Sequence, residues 1–80
     1  VKPQSLVLFP NPASNHFTIQ TPNIMKDGIV QIVNARGQLV YEKSILNQSE
    51  INLDLELSAG CYIIKVNTLT DTYNERLIIR

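Results

Sequence analysis

Gly60-Cys61-Tyr62-Ile63-Ile64-Lys65-Val66-Asn67 opens on a glycine and runs through β-branched and aromatic residues too densely apolar for a surface loop. A run this short, bounded by turn residues and rich in Ile, Val and Tyr, reads as a strand with a buried face. Side chains alternate along a strand, so Tyr62, Ile64 and Val66 share one face and Cys61, Ile63 and Lys65 the other. The remaining segments of the chain read as partners for this one.

Upstream, Leu6-Val7-Leu8-Phe9 is a short apolar strand stopped by Pro10. The corner Pro10-Asn11-Pro12-Ala13-Ser14-Asn15 follows. Its prolines hold φ near −65° and push Phe9 and Asn11 into extended conformations, so the corner is rigid. It is expected to carry the chain from one sheet to the other. His16-Phe17-Thr18-Ile19-Gln20 alternates polar and apolar, with Phe17 and Ile19 inward, and Pro22-Asn23 is expected to end it. Asp27-Gly28 signals a turn before a strand over residues 29–34. Asn34-Ala35-Arg36-Gly37 reads as a four-residue hairpin loop with Gly37 at positive φ, returning through residues 38–43.

Asn47-Gln48-Ser49 is loop chemistry. It also fits the N-x-[ST] acceptor pattern, which is too short to carry a function here. Ile51, Leu53, Leu55 and Leu57 then alternate with Asn52, Asp54 and Glu56, a period that excludes a helix. Ser58-Ala59-Gly60 and Leu69-Thr70-Asp71 are turns. In the closing strand, residues 73–80, Tyr73, Glu75, Leu77 and Ile79 lie on one face.

About seven strands with turn signals every ~8–12 residues predict an all-β fold. We read it as a seven-stranded, two-sheet antiparallel β-sandwich of immunoglobulin-like architecture, with a barrel as the other solution. Residues 1–4 read as a linker remnant and residues 5–80 as one domain. Val1 is no natural start, so the chain is expected to be the end piece of something longer or an excised domain. Seven basic and seven acidic side chains cancel, which gives no basic excess for nucleic acid and no polybasic cluster for an anionic membrane.

No catalytic, cofactor or metal site is legible. His16 falls on an outward strand face and reads as a surface residue. Cys61 has only Lys65 as a cationic neighbour, about 13 Å along the strand, and reads as a small semi-buried residue. Asp54 and Glu56 sit about 7 Å apart on one flat, solvated face, unlike the cleft-flanking acids of a glycosidase. Tyr62 is expected in the core, and of the three tyrosines only Tyr73 is a candidate for stacking on a sugar. No small-molecule substrate is implied.

Four stretches together resemble a known family: Leu8-Phe9-Pro10-Asn11-Pro12-Ala13-Ser14-Asn15, the hairpin Ile32-Val33-Asn34-Ala35-Arg36-Gly37-Gln38-Leu39-Val40, the Gly-x-Tyr strand of residues 57–66, and the basic–apolar ending Arg76-Leu77-Ile78-Ile79-Arg80. In that order they are similar to the C-terminal sorting domain of type IX secretion cargo in Bacteroidetes. Cys61 stands where an aliphatic residue is usual, and the final turn lacks a glycine often found there. The resemblance implies a folded delivery signal with no cofactor. Its partners are the outer-membrane translocon, a shuttle protein and, in many members, a sortase-like protease. Its route runs through the periplasm to the cell surface or the medium.

Within the resemblance, Arg76, Leu77, Ile78, Ile79 and Arg80 become the expected recognition segment. Pro10, Asn11, Pro12, Gly37, Gly60 and Tyr62 become the structural motif positions. An unpaired edge on the closing strand is expected to recruit a partner strand, and strand exchange could join two copies into a homodimer once the domain is cut from its cargo. The rival readings are a carbohydrate-binding or adhesion module, and a passive immunoglobulin-like spacer, at the end of a secreted enzyme.

Overall fold

The computed structural model of the chain describes residues 6–69 and 71–80, with Met25 described by its backbone alone. The linker expected over residues 1–4 and the centre of the turn at Thr70 lie outside the described residues. Five strands form: β1 (Val7–Phe9), β2 (His16–Asn34), β3 (Leu39–Asp54), β4 (Gly60–Thr68) and β5 (Thr72–Ile79). All of the pairings between them are antiparallel.

Seven strands become five because two expected breaks are absorbed into continuous strands. Pro22-Asn23 and Asp27-Gly28 lie inside β2, and Asn47-Gln48-Ser49 lies inside β3. Between Gln20 and Met25 the register slips against Glu50 and Gln48. Four residues of β2 thus face one of β3, a bulge that bends both strands. Pro22 has no N–H to give the ladder, and the bulge is where its loss does least harm. The buried Thr21 hydroxyl donates to the Asn23 carbonyl at 2.6 Å, with the Ser49 carbonyl 3.3 Å away. Opposite, Asn47 takes φ 52°, a left-handed conformation that asparagine tolerates. The bulge also resets parity: β2 buries Phe17 and Ile19 before it, and Val30 and Ile32 after it.

The bend folds one sheet over on itself. The first halves, β1 with residues 16–20 of β2 and 50–54 of β3, make one wall. The other wall runs from the first part of β3 through the second part of β2 to β4 and then β5. The expected two separate sheets are therefore two walls of a single, nearly closed sheet, shared through β2 and β3. Phe17, Ile19, Ile51 and Leu53 from one wall pack with Val30, Ile32, Ile64, Val66 and Leu77 from the other in one core.

The organising strand behaves as its alternation demands. Tyr62, Ile64 and Val66 are buried while Cys61, Ile63 and Lys65 are exposed. Ile51 and Leu53 are buried as expected, but the strand stops at Asp54. Leu55 and Leu57 lie beyond it and still pack on the core, held by the Leu55 amide donating to the Asn15 carbonyl at 2.8 Å. The hairpin loop is displaced by one residue, to residues 35–38. The Asn34 side-chain oxygen accepts from the Arg36 and Gln38 amides, and Gly37 sits at φ 82°.

Candidate functional site

The expected recognition segment is the second half of β5, and its residues divide by parity. Leu77 and Ile79 are core residues, 0% and 3% exposed. Arg76 and Arg80 are exposed, and Ile78 is half-buried. Only Arg76, Ile78 and Arg80 can therefore present side chains to a partner while the domain stays folded. The remaining motif positions explain why β5 is held so firmly. Gly60 pairs with Ile79 at the start of β4, at φ 154°, and Tyr62 pairs with Leu77. The Tyr62 ring is buried, and its hydroxyl donates to the Ser58 carbonyl at 2.6 Å, tying β4 to the segment that leads into it. Gly37 belongs to the hairpin loop, and its role there is conformational.

The proline corner supplies the feature that sequence reading missed. Between β1 and β2, residues 10–15 reach across to β5 on the opposite wall. Both X-Pro bonds, Phe9–Pro10 and Asn11–Pro12, are cis. The expected transfer of the chain between sheets does not occur at this corner, because β1 and β2 pair directly in the same wall. It closes the sheet instead. The Asn11 carboxamide donates through Nδ2 to the Arg76 carbonyl at 3.0 Å and accepts through Oδ1 from the Ile78 amide at 3.1 Å. Two residues on, the Ala13 amide donates to the Ile78 carbonyl at 2.8 Å and its carbonyl accepts from the Arg80 amide at 2.9 Å. Ala13 thus straddles Ile79 as a parallel bridge and is itself 3% exposed.

In an antiparallel pair, successive residues point their N–H and C=O alternately toward and away from the partner. Residues 77 and 79 face β4, so the outward groups run from the Arg76 carbonyl through Ile78 to the Arg80 amide. All four are occupied by Asn11 and Ala13. The unpaired edge expected over residues 76–80 is absent, since the corner lies where an added strand would bind. A carboxamide has the donor and acceptor of a peptide group, which lets Asn11 stand in for a strand residue.

The outer face beside β5 is shallow and uncovered. Val33, Cys61, Ile63, Lys65 and Arg76 line one depression on it, next to the hairpin loop. Cys61 is exposed there, not semi-buried as expected, because the outward row of β4 carries no covering layer. His16 is exposed, as expected. Asp54 and Glu56 are also exposed, as their pattern predicts, although Glu56 lies past the end of β3. Tyr41 and Tyr73 are half-buried and pack against the core, which leaves no exposed tyrosine among the described residues.

The fold is that of an immunoglobulin-like β-sandwich. A DUF3244 family protein with that fold from Bacteroides vulgatus superposes with a TM-score of 0.64, covering 92% of this chain and 98% of that one at 19% identity. The sequence profile of the secretion system C-terminal sorting domain matches residues 7–80, and the chain belongs to that family. It is also 40% identical over 79 residues to the ulvan lyase NLR42 of Nonlabens ulvanivorans, an alignment that takes in 94% of this chain and 14% of that protein. The domain is a type IX secretion signal and not a catalyst, and the carbohydrate-module and spacer readings are not favoured. It engages the secretion machinery and directs export across the outer membrane, to the cell surface or the medium.

Proposed function

We propose that the translocon and shuttle of the type IX machinery read the closing strand in its folded setting, through the outward side chains of Arg76, Ile78 and Arg80. The observation that carries this reading is the burial of Leu77 and Ile79 between those three residues. A strand backbone whose neighbouring residues are locked in the core loses little further freedom on binding, which favours recognition. Two exposed cations around a half-buried isoleucine offer charge for steering and apolar area for contact. The carrier passes through the periplasm, and where the domain is removed after transit a sortase-like protease removes it. The carrier itself is an enzyme, as the relative named an ulvan lyase is.

A reporter fused ahead of this chain tests the reading in a Bacteroidetes strain with the secretion system. The fusion is expected at the cell surface, and in a strain lacking the system it is expected in the periplasm. The pair Arg76→Glu and Arg80→Glu leaves the core untouched and should strand the reporter in the periplasm. Undiminished surface delivery of that folded variant would show that the machinery reads some other part of the domain.

A further inference from the structure

We propose that the outward edge of β5 is a masked strand-addition site, shut by the Asn11 carboxamide and the Ala13 backbone, and that its ligand is an extended peptide strand lying parallel to β5. The inference deepens the reading of residues 76–80 as the recognised segment. It concerns the backbone edge of that segment, where the proposed function concerns its side chains.

Three observations converge on this edge. First, the four bonds from the corner follow the pattern of a strand. Asn11 contributes a donor and an acceptor to Arg76 and Ile78, and Ala13 contributes a donor and an acceptor to Ile78 and Arg80. A peptide that took their place would recover the same four bonds, so exchange is nearly balanced in hydrogen bonding. Second, the corner is held to β5 by little else. Pro10, Asn11, Pro12 and Ser14 are exposed, and Ala13 alone sinks into the core. The smallest apolar side chain in the core therefore secures the cover, and its withdrawal leaves a cavity of one methyl group. Third, the cover stops short. Thr72 and Asn74 are exposed in the first half of β5, and no strand lies beyond them among the described residues. An incoming strand has a place to begin pairing before it displaces the corner.

The masking also answers a hazard. An apolar closing strand with an open edge invites pairing with other chains. A cover that yields only to a competing strand keeps the edge closed in the free domain and open to a partner that engages it.

Amide hydrogen exchange on the full chain provides the test, with the wild type compared with Asn11→Ala and Asn11→Asp. Asn11→Asp replaces the donor to the Arg76 carbonyl with a carboxylate oxygen, and the repulsion between the two oxygens is expected to push the corner off β5. It serves as the second variant if Asn11→Ala does not fold. Exchange at the Ile78 and Arg80 amides is expected to rise roughly tenfold or more in Asn11→Ala, while the Leu77 and Ile79 amides that face β4 stay protected. Adding the peptide acetyl-Thr-Val-Thr-Val-Thr-Val-amide should restore protection at Ile78 in the variants at lower concentration than in the wild type. Unchanged exchange at Ile78 in both variants overturns the mask. Opened edges that take up no peptide overturn the strand-addition site. Neither readout uses secretion, so the fusion experiment above can fail or succeed independently.

Discussion

The described sheet has three outer strands, the short β1 and the longer β3 and β5, and the two longer ones are protected in opposite ways. β5 is covered: the corner bonds every outward backbone group from the Arg76 carbonyl to the Arg80 amide. β3 pairs only with β2, and among the described residues no strand pairs with its far side. Its defence is chemical, because Glu42, Lys43, Glu50 and Asp54 are all exposed along its length and Asn47 bends it midway. Charges and bends blunt an edge permanently, whereas a cover made of exchangeable hydrogen bonds blunts it conditionally. The strand that we propose is the recognised segment has the conditional protection.

The largest expected effect tests whether β5 is a full member of the core or an appendage laid over it. Leu77 is fully buried and sits opposite Tyr62. Leu77→Ala should cost about 2–5 kcal/mol, read as a lowered urea midpoint with an unchanged slope. In a domain of this size that is a large share of the total stability. A loss below about 1 kcal/mol would mean that β5 adds little to the fold, and the contrast between the two longer outer strands would collapse.

A pair of asparagines gives a finer measure. Asn11 makes two bonds to the backbone of β5, while Asn52 of β3 accepts a single bond at 2.6 Å from the exposed Thr18 hydroxyl. Asn11→Ala should lower stability by about 1–2 kcal/mol, because it leaves an N–H and a carbonyl of the closing strand unpaired. Asn52→Ala should cost no more than about 0.5 kcal/mol, as expected of an exposed surface contact. Thermal melts of the two variants side by side decide it, and equal losses would mean that the corner adds nothing beyond an ordinary surface bond.

Much of this arrangement was legible from residue order alone, and the reason is local. Inward placement of Tyr62, Ile64 and Val66, or of Leu77 and Ile79, follows from alternation within one strand and needs no knowledge of the partner. Pro22 and Asn47 were read as strand ends because each disrupts a regular ladder. They prove to be the residues that let long strands bend, a distinction that depends on what lies across the ladder. Ala13 passed as a loop residue, since a lone alanine after two prolines carries no period. The grip of Asn11 on Ile78 joins residues 67 apart in sequence. A carboxamide in a turn pairs with its own backbone as readily as with a distant strand, so the composition of the corner does not announce its target. The family resemblance located the motif without explaining it. The explanation came from the bonds on β5.

Lys43 offers the last and smallest perturbation. It lies in register with Val30, which is fully buried, on the same row of β3 as the half-buried Tyr41 and the buried Ile45. Its backbone therefore sits on the core-facing row, yet its side chain is exposed. Its long aliphatic stem lets the ammonium reach water past the edge of the sheet. An inward-row lysine on an outer strand is a known guard, because a second strand docking there would bury the charge. Lys43→Val should change the folding free energy by no more than about 0.5 kcal/mol, since the position is exposed. It should nevertheless create a continuous apolar edge from Tyr41 to Ile45 and raise self-association above that of the wild type in sedimentation velocity runs. If Lys43→Val stays as monodisperse as the wild type while Asn11→Ala associates, then β3 needs no guard and β5 alone is adhesive. If both associate, the two edges are equivalent hazards met by different means, one charge on β3 and one carboxamide on β5.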